Sequence, residues 1–346
     1  MSKNLGAHTS CATDNVEETV MRFVRASTPD GPRIGVLVDD DTAVLSPTLS
    51  TVQDHLESLS DLGTNILASS YPRVPLDSLS LLRPVDPPSM RDFMVFEEHI
   101  KPAWRSRGIE GPAAWYRQPI GYFSNAAGFR GPHDTVEIPG GSQRLDFELE
   151  VGAIVSRTLQ SVSSDQAESA IAGYLVLCDW SARDLQSAEM EGSLGPFKGK
   201  DFATALGPVL VTPDELADVR NGTGYDLRMT TSVNGREYGH DLWSSATWSF
   251  EDLLSYASWN STVEGGALIG SGTCQGGCIL ELSLRHSPEQ YPWLAAGDQV
   301  SLSIERLGSI ESVVTASCRG PWPGFRDGAQ NPHHTRKTTT TMRVES

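Results

Sequence analysis

The segment Leu145-Asp-Phe-Glu-Leu-Glu-Val-Gly152 alternates apolar and acidic residues with a period of two. Successive side chains of a β-strand point to opposite faces, so this pattern predicts a strand with one apolar and one acidic face. The acidic face would carry Asp146, Glu148 and Glu150. Taken alone, the segment fits two interpretations: a half-exposed strand with a solvated acidic face, or a strand that turns its carboxylates toward a ligand.

A further acidic residue lies where an apolar run ends. Residues 171–178 form that run, and Asp179 follows it directly. A carboxylate at the end of a buried strand needs a partner, because burial of an unpaired charge is unfavourable. Arg183 could be that partner; the alternative is a metal ion that Asp179 shares with Glu148 and Glu150. Oxygen ligands without a nearby histidine or thiol favour Mg²⁺, Ca²⁺ or Mn²⁺ over zinc.

The pattern of the whole chain predicts an α+β protein that is mainly β. The chain has 346 residues, of which 38% are hydrophobic, so it can form a small domain beside a large one. Helical periodicity is confined to a few segments, such as 163–171 and 250–258. Apolar runs bounded by glycine and proline, which predict strands, recur at residues 145–155, 173–178, 208–211, 226–233, 279–284 and 299–304.

Changes in composition divide the chain into four parts. Residues 1–17 and 327–346 are polar and lack apolar periodicity, so we predict mobile tails. Residues 18–85 alternate short β-rich runs with turn signals, which predicts a small N-terminal domain rich in strands. A proline-rich connection then leads into the main body. We therefore place a domain boundary near residue 86 and assign residues 86–326 to one main domain.

The charge balance argues against two classes of partner. Lys and Arg number 27 against 44 Asp and Glu, which gives a net charge of -17 and no basic field for nucleic acid or an anionic membrane.

No run approaches the 18 or so apolar residues of a membrane span, and the N-terminus lacks the apolar core of a signal peptide. We therefore expect a cytoplasmic protein. Its five cysteines form an odd, sparse set, which indicates reduced thiols.

Several motifs together resemble the fumarylacetoacetate hydrolase superfamily, and in particular its longer, fumarylacetoacetase-like members. The resemblance implies a mixed β-sandwich roll that commonly forms a homodimer. In the longer members a metal-binding aspartate precedes a histidine by seven residues, and Asp92 and His99 have that spacing. The other motifs follow in the family's order: the acidic segment above, Asp179-Trp-Ser-Ala-Arg-Asp-Leu-Gln186, Gly195-Pro-Phe-Lys-Gly-Lys200, Gly270-Ser-Gly-Thr273, Leu280-Glu-Leu282 and Gly297-Asp298.

The resemblance further implies a divalent cation, most simply Mg²⁺, at the mouth of the roll. Its implied ligands are Asp92, Glu148, Glu150 and Asp179, with Thr204 close to the ion. Coulomb's law supports a cation independently of the resemblance. Four carboxylates that converge to about 4 Å repel one another by about 4 kcal/mol per pair at an effective dielectric of 20. Without a cation, such a cluster would take up protons or spread apart.

The same resemblance implies three catalytic residues. His99 would activate water, a role that suits the ordinary pKa of imidazole, and Glu281, placed in an apolar predicted strand, would orient it. Lys200 would stabilise negative charge on the oxyanion or the departing enolate. Plainer interpretations remain open at this point, because His99 could simply be a surface or helix-end residue and Lys200 a surface lysine.

Other residues would contact the substrate by the same resemblance. Gln186, Tyr122 and Thr273 match substrate-binding positions, although Tyr122 could instead be a core tyrosine. A family arginine binds a substrate carboxylate, and both Arg105 and Arg107 fall near its position. The sequence does not choose between these two arginines.

These features predict a metal-dependent hydrolase that cleaves a carbon–carbon bond of a β-diketone or an acylpyruvate-like keto acid. A divalent ion can chelate both oxygens of such a small molecule and stabilise the enolate that departs. The second hypothesis is a decarboxylase, tautomerase or hydratase of a 2-oxo acid, which would use the same enolate. The third is a metal-stabilised binding protein without catalysis, in which the ligands are kept and the base is lost or misplaced.

Overall fold

The computed structural model describes residues 21–324, so the predicted tails at 1–17 and 327–346 lie outside the described residues. The described N-terminal region, up to residue 85, contains five strands and one α-helix packed against them. Its elements are β1 (Arg22–Thr28), β2 (Gly31–Leu37), β3 (Thr42–Leu45), α1 (Leu59–Leu67), β4 (Arg73–Pro75) and β5 (Ser80–Leu82).

The rest of the described chain contains nineteen strands and five helices. The strands are β6 (Met90–Phe93), β7 (Gly121–Ser124), β8 (Phe129–Arg130), β9 (Val136–Glu137), β10 (Leu145–Asp146), β11 (Leu149–Val155), β12 (Leu159–Gln160), β13 (Ile171–Asp179), β14 (Ser181–Ala182), β15 (Thr204–Leu206), β16 (Val209–Val211), β17 (Arg220–Asn221), β18 (Gly224–Tyr225), β19 (Arg228–Val233), β20 (Arg236–Leu242), β21 (Thr262–Val263), β22 (Leu268–Gly270), β23 (Gln299–Ile304) and β24 (Gly308–Thr315). The helices are α2 (Glu97–Ser106), α3 (Ser164–Glu168), α4 (Arg183–Glu191), α5 (Phe250–Ser258) and α6 (Ile279–Arg285).

One large mixed sheet forms the centre of the fold. Its main path runs β4-β3-β2-β1-β16-β13-β11-β22-β6-β7, with β5 beside β1 and with β15 joining β13 to β8. Most neighbours are antiparallel, whereas β22 and β6 are parallel. The N-terminal strands enter this sheet through the antiparallel pair of β1 and β16. Strands on both sides of residue 86 thus share one sheet, and the domain boundary stays a prediction.

Both faces of the large sheet are covered, which confirms the predicted mixed, mainly β sandwich. On one face, Val151 and Val176 share a core with Leu302 and Ile310 of a second sheet, ordered β20-β19-β23-β24-β9. On the other face, residues such as Leu175 pack in a separate core with α1 and the N-terminal strands. Strands buried on both faces are apolar without alternation, which explains the continuous run that ends at Asp179.

The sequence pattern predicted two of the helices correctly and predicted a third as a strand. Helices α3 and α5 fall within the predicted helical segments, and each begins with a serine capping box. The strand predicted at 279–284 was wrong, because these residues form α6. Short apolar runs fit a strand or a buried helix equally well, so periodicity alone does not separate the two. No helix among residues 21–324 combines the length and hydrophobicity needed to cross a bilayer.

We expect Leu175→Ala to destabilise the fold strongly. Leu175 lies in the centre of β13 and has no exposed surface. Its truncation should lower the free energy of unfolding by roughly 2–5 kcal/mol, because a buried cavity replaces packed atoms. Leu194→Ala is the matched control, since Leu194 is 96% exposed, and it should change stability by less than about 0.5 kcal/mol. Urea unfolding measures both variants, and equal losses would contradict the assigned core.

Candidate metal centre and active site

The predicted metal ligands lie on neighbouring strands of the large sheet. Asp92 is on β6, Glu150 is on β11, and Asp179 is the last residue of β13. Strand β22 lies between β6 and β11, and its last residue, Gly270, is paired with Asp92. A β-carbon at Gly270 would lie 2.4 Å from Asp92 Oδ1 and 3.0 Å from Glu150 Oε2. The missing side chain at Gly270 therefore lets two carboxylates approach each other across an intervening strand.

Three carboxylates form a compact buried group. One carboxylate oxygen from each of Asp92, Glu150 and Asp179 lies within 4.8 Å of the other two. Asp92 Oδ1, Glu150 Oε1 and Asp179 Oδ1 are buried and have no hydrogen-bond partner. Such oxygens are unfavourable in a protein interior, and a divalent cation would bind them. The group therefore fits the predicted cation, and its all-oxygen donor set is that of Mg²⁺, Mn²⁺ or Ca²⁺.

The pKa values of this group reflect its excess of negative charge. Burial, together with the charge of Asp179, raises the pKa of Asp92 to about 7. Burial and the neighbouring Asp92 raise the pKa of Glu150 well above its ordinary value. Burial also raises the pKa of Asp179, although the Lys200 ammonium opposes this shift. Protons therefore compete with a cation for these oxygens.

Glu148, also predicted as a metal ligand, has cationic side chains as neighbours. Arg183 Nη1 lies 2.7 Å from Glu148 Oε1, and the Lys200 ammonium donates to Glu148 Oε2. Burial opposes ionisation of Glu148, but Arg183 and Lys200 outweigh it and lower the pKa to about 2. Glu148 is thus an ionised carboxylate bonded to two cations and lies outside the compact group of three. Its role as a metal ligand stays a prediction.

Lys200 links Glu148 to the group of three. Its Nζ lies 2.7 Å from Asp179 Oδ2, and its side chain is buried. Burial opposes the charge of this ammonium, but Asp179 and Glu148 outweigh burial and raise its pKa above the ordinary value. Lys200 is therefore a buried, protonated residue and not a surface lysine. The cationic partner of Asp179 is Lys200, whereas Arg183 pairs with Asp146 and Glu148.

Tyr122 and Thr204 also lie beside the carboxylates. The hydroxyl of Tyr122 is 3.0 Å from Asp92 Oδ2 and also contacts Asp179 Oδ2, so it bridges two members of the group. Thr204 is buried and faces Asp179 in the pairing of β13 with β15. The predicted contacts of Tyr122 with substrate and of Thr204 with the cation stay predictions.

The remaining substrate-binding predictions fall around this centre. Gln186 Oε1 accepts a hydrogen bond of 3.0 Å from Arg183 Nη1, and Thr273 is buried in the loop after β22. A cavity of about 950 Å³ extends from Glu281 to Arg105. Arg107 is not among the residues that line it. The four predicted carboxylate ligands do not line this cavity either, so it does not decide which of Arg105 and Arg107 would contact a substrate carboxylate.

His99 and Glu281 form a hydrogen-bonded pair. His99 lies in the first turn of α2, and its Nδ1 is 2.8 Å from Glu281 Oε2. Glu281 is also held by the N–H of Gly276, at 2.8 Å, and by Arg285 Nε, at 2.6 Å. The charge of His99 contributes to the low pKa of Glu148, so the pair lies within electrostatic reach of the carboxylates. The structure thus brings together the residues predicted as base and orienting carboxylate.

Asp146 has a role that the sequence analysis missed. Its oxygens accept the backbone N–H groups of Ile279, at 2.7 Å, and Leu280, at 3.0 Å, at the start of α6. They also accept Arg183 Nε at 2.8 Å. Asp146 therefore caps the helix that carries Glu281. The sequence signalled only an acidic position on a strand, because the capped helix begins 133 residues further along the chain.

Cys278 lies beside the His99–Glu281 pair without adding a reactive thiolate. It is the N-cap of α6, where its Sγ accepts the N–H of Glu281 at 3.4 Å. Burial raises the pKa of the Cys278 thiol well above its ordinary value. The described cysteines, Cys178, Cys274, Cys278 and Cys318, are all free thiols.

Comparison with known proteins identifies the family of this chain. Residues 90–315 match the family described as "Fumarylacetoacetate (FAA) hydrolase C-terminal". The chain belongs to this family. The match covers the segment from Asp92 to the end of β24 and thus includes all the residues of the centre. Fumarylacetoacetate hydrolase family membership confirms the resemblance drawn from the motifs.

Relatives in the fumarylacetoacetate hydrolase family carry different activities in their names. A 2,4-didehydro-3-deoxy-L-rhamnonate hydrolase of Sphingomonas sp. is 33% identical over 213 residues, which are 61% of this chain and 70% of that protein. A human mitochondrial oxaloacetate tautomerase is 28% identical over 309 residues, or 85% and 91%. Among solved structures, a fumarylacetoacetate hydrolase of Exiguobacterium antarcticum shares the fold, with a TM-score of 0.68, 24% identity and coverage of 86% and 100%.

Removal of divalent cations should make stability depend on pH through Asp92. A carboxyl group whose pKa is raised in the folded state contributes stability that is fully present below its ordinary pKa of 3.8 and is lost as the pH rises to about 7. We therefore expect the Tm of the chelator-treated protein to fall as the pH rises from about 4 to about 7 and to level off above that, and Mg²⁺ to raise the Tm more at about pH 7 than at about pH 5. Scanning calorimetry measures both effects.

Asp92→Asn is the control for this experiment, because it removes both a titrating group and a predicted metal ligand. The pH-dependent fall in Tm and the response to Mg²⁺ should both be smaller in this variant. If the Tm of the wild type changes with pH and Mg²⁺ no more than the Tm of Asp92→Asn does, the assigned centre is contradicted.

Proposed function

We propose that the protein is a divalent-cation-dependent hydrolase that cleaves a carbon–carbon bond of a β-diketone or an acylpyruvate-like keto acid. The observation that supports this most directly is the presence of three unpartnered carboxylate oxygens beside a buried lysine, with a histidine–glutamate pair within electrostatic reach of the neighbouring Glu148. Hydrolysis of such a bond needs an activated water, a group that polarises the carbonyl, and a positive charge that stabilises the departing enolate. Each of these has a candidate in the site.

His99 is suited to accept a proton from water. Glu281 is an acceptor when ionised, so the hydrogen between the two residues belongs to Nδ1 of His99. Nε2 then carries the free lone pair and serves as the base. Gly276 and Arg285 hold the Glu281 carboxylate and so fix the orientation of the imidazole. Once His99 is protonated, Glu281 stabilises the imidazolium until the proton is passed to the departing group.

Lys200 supplies a fixed positive charge beside the carboxylates. Because its pKa is raised, it remains an ammonium and acts by electrostatic attraction rather than as a base. Its position between Glu148 and Asp179 directs this charge into the centre. When bound by Asp92, Glu150 and Asp179, a divalent cation would polarise substrate oxygens as a Lewis acid.

A second candidate is tautomerisation of a 2-oxo acid such as oxaloacetate. The observation that favours it is the similarity to the human oxaloacetate tautomerase, since the match covers 91% of the length of that protein. Tautomerisation uses the same stabilised enolate but moves a proton between carbon and oxygen without breaking a carbon–carbon bond. Decarboxylation and hydration of 2-oxo acids belong to the same group of alternatives. A non-catalytic binding protein fits less well, because it requires His99 to be lost or misplaced.

We retain five further expectations as parts of this proposal. The cation is Mg²⁺, with Ca²⁺ and Mn²⁺ as alternatives, and the substrate is a small keto acid or diketone. The protein is a cytoplasmic homodimer. Neither nucleic acid nor a membrane is a partner, in keeping with the net charge of -17.

His99→Ala should lower kcat by roughly 10²- to 10⁴-fold, the usual contribution of a well-placed base, while Mg²⁺ binding persists. Steady-state kinetics measures the first effect, and titration calorimetry with Mg²⁺ measures the second. His133→Ala is the matched control, because His133 is exposed on the surface, and its kinetics should equal those of the wild type. Undiminished turnover in His99→Ala would remove His99 as the base.

The two candidate reactions differ in their products. The protein with Mg²⁺ is incubated with a panel of acylpyruvates and β-diketones and, separately, with oxaloacetate, and the products are identified by mass spectrometry and NMR. Cleavage of an acylpyruvate into a carboxylic acid and pyruvate, or of a β-diketone into a carboxylic acid and a ketone, supports the hydrolase. Accelerated keto–enol exchange of oxaloacetate without cleavage of any diketone would replace the leading proposal by the tautomerase.

A further inference from the structure

Lys200 lies in a short turn. The packing of buried side chains is not enough to hold this turn in place. Residues 197–201 form a single helical turn, in which the N–H groups of Lys200 and Asp201 donate to Phe197 O at 3.0 and 2.9 Å. The connection from α4 to this turn is exposed, and Leu194 within it is 96% exposed. Ser193, with φ of 59°, lies in the left-handed region. The connection therefore contributes little burial that would hold the turn in place.

One carboxylate holds the start of this turn. Glu189, near the end of α4, accepts the consecutive backbone N–H groups of Phe197, Lys198 and Gly199 at 2.8, 2.5 and 3.1 Å. The first N–H groups of a helical turn have no partner within the turn, so an acceptor there satisfies them. Bonds to an ionised acceptor are also stronger than bonds between neutral groups. Glu189 thus binds the turn to α4 at three successive residues.

The backbone next to Lys200 fits α4 closely. A β-carbon at Gly199 would lie 2.6 Å from the backbone nitrogen of Gln186, so only glycine permits this approach. The carbonyl of Gly199 also accepts the N–H of Ala182 at 2.8 Å. With Gly199 in contact with α4, the next residue, Lys200, places its ammonium between the carboxylates. The position of the turn therefore determines the position of the charge.

We propose that Glu189 is a positioning residue that keeps the Lys200 ammonium between Glu148 and Asp179 by fixing the turn at 197–200. The catalytic consequence rests on the proposed function, whereas the structural effect on Lys200 does not. Glu189 itself binds only backbone groups of the turn. Its loss therefore frees the turn without altering the carboxylates of the compact group.

The test is selective chemical labelling of lysine in the full-length protein with Mg²⁺ present. An N-hydroxysuccinimide ester acetylates accessible lysines, and mass spectrometry gives the labelling rate of each. Lys200 is buried and doubly paired, whereas Lys101, whose side chain is 27% exposed, lies on α2 outside the turn and serves as the internal reference. Glu189→Ala should raise the labelling of Lys200 relative to Lys101 by about ten-fold or more, because lost charge-assisted hydrogen bonds favour local opening.

Two further variants make the result specific. Glu189→Gln keeps one acceptor oxygen but places an NH₂ group against backbone N–H donors, so it should also raise the labelling of Lys200. It replaces Glu189→Ala if that variant does not fold. Glu191→Ala is the matched control, since Glu191 is an exposed glutamate at the end of the same helix, and it should label like the wild type. Wild-type protection of Lys200 in the folded Glu189 variants would overturn the proposal.

Kinetics separates this proposal from the proposed function. With any substrate found active, Glu189→Ala should lower kcat by about ten-fold or more through the displaced ammonium, with Mg²⁺ affinity unchanged. Glu189→Asp, which keeps the charge, should recover part of the loss. If the wild-type protein turns over no keto acid, but Lys200 is still labelled faster in Glu189→Ala, the proposed function is refuted and the positioning role is supported. Lower activity with Lys200 still protected would refute the positioning role.

Discussion

Uncompensated negative charge inside the large sheet is the constraint on which the site depends. Asp92, Glu150 and Asp179 are buried together, and each keeps one oxygen without a partner. A folded chain tolerates such a group only if protons or a cation neutralise it, which is why the pKa values of all three are raised. Gly270 belongs to the same constraint, because any side chain there would separate Asp92 from Glu150.

A continuous set of charged contacts joins this group to the histidine–glutamate pair. Lys200 binds Asp179 and Glu148, Glu148 binds Arg183, and Arg183 binds Asp146. The same Asp146 caps the helix on which Glu281 holds His99. The acidic segment at 145–152 therefore contributes both to the candidate cation site and to the orientation of the candidate base. Removal of one member of such a network leaves its buried partner unsatisfied, so effects of substitution should not be additive.

Relatives of this chain are named a hydrolase and a tautomerase. In this chain the large sheet supplies the carboxylates of Asp92, Glu150 and Asp179, whereas His99 comes from α2 and Lys200 from the turn at 197–201. Under the proposed function, the carboxylates would hold a cation that stabilises an enolate, and His99 would activate water. Family membership supports the class of chemistry, and product analysis decides the reaction.

The sequence by itself determined the mainly β class and the apolar strand that ends at Asp179, because continuous apolar runs are local signals. The single strand predicted for the acidic segment at 145–152 was wrong, because the structure divides it into β10 and β11, which belong to different sheets. Motif resemblance added His99, Glu281 and Lys200. Only the tertiary structure decided that residues 279–285 are helical, that Arg183 pairs with Asp146 and Glu148 rather than Asp179, and that Glu189 holds the turn before Lys200. These features depend on side chains that meet across the fold, such as Asp146 and the start of α6, and no local pattern records which distant partner satisfies a buried charge.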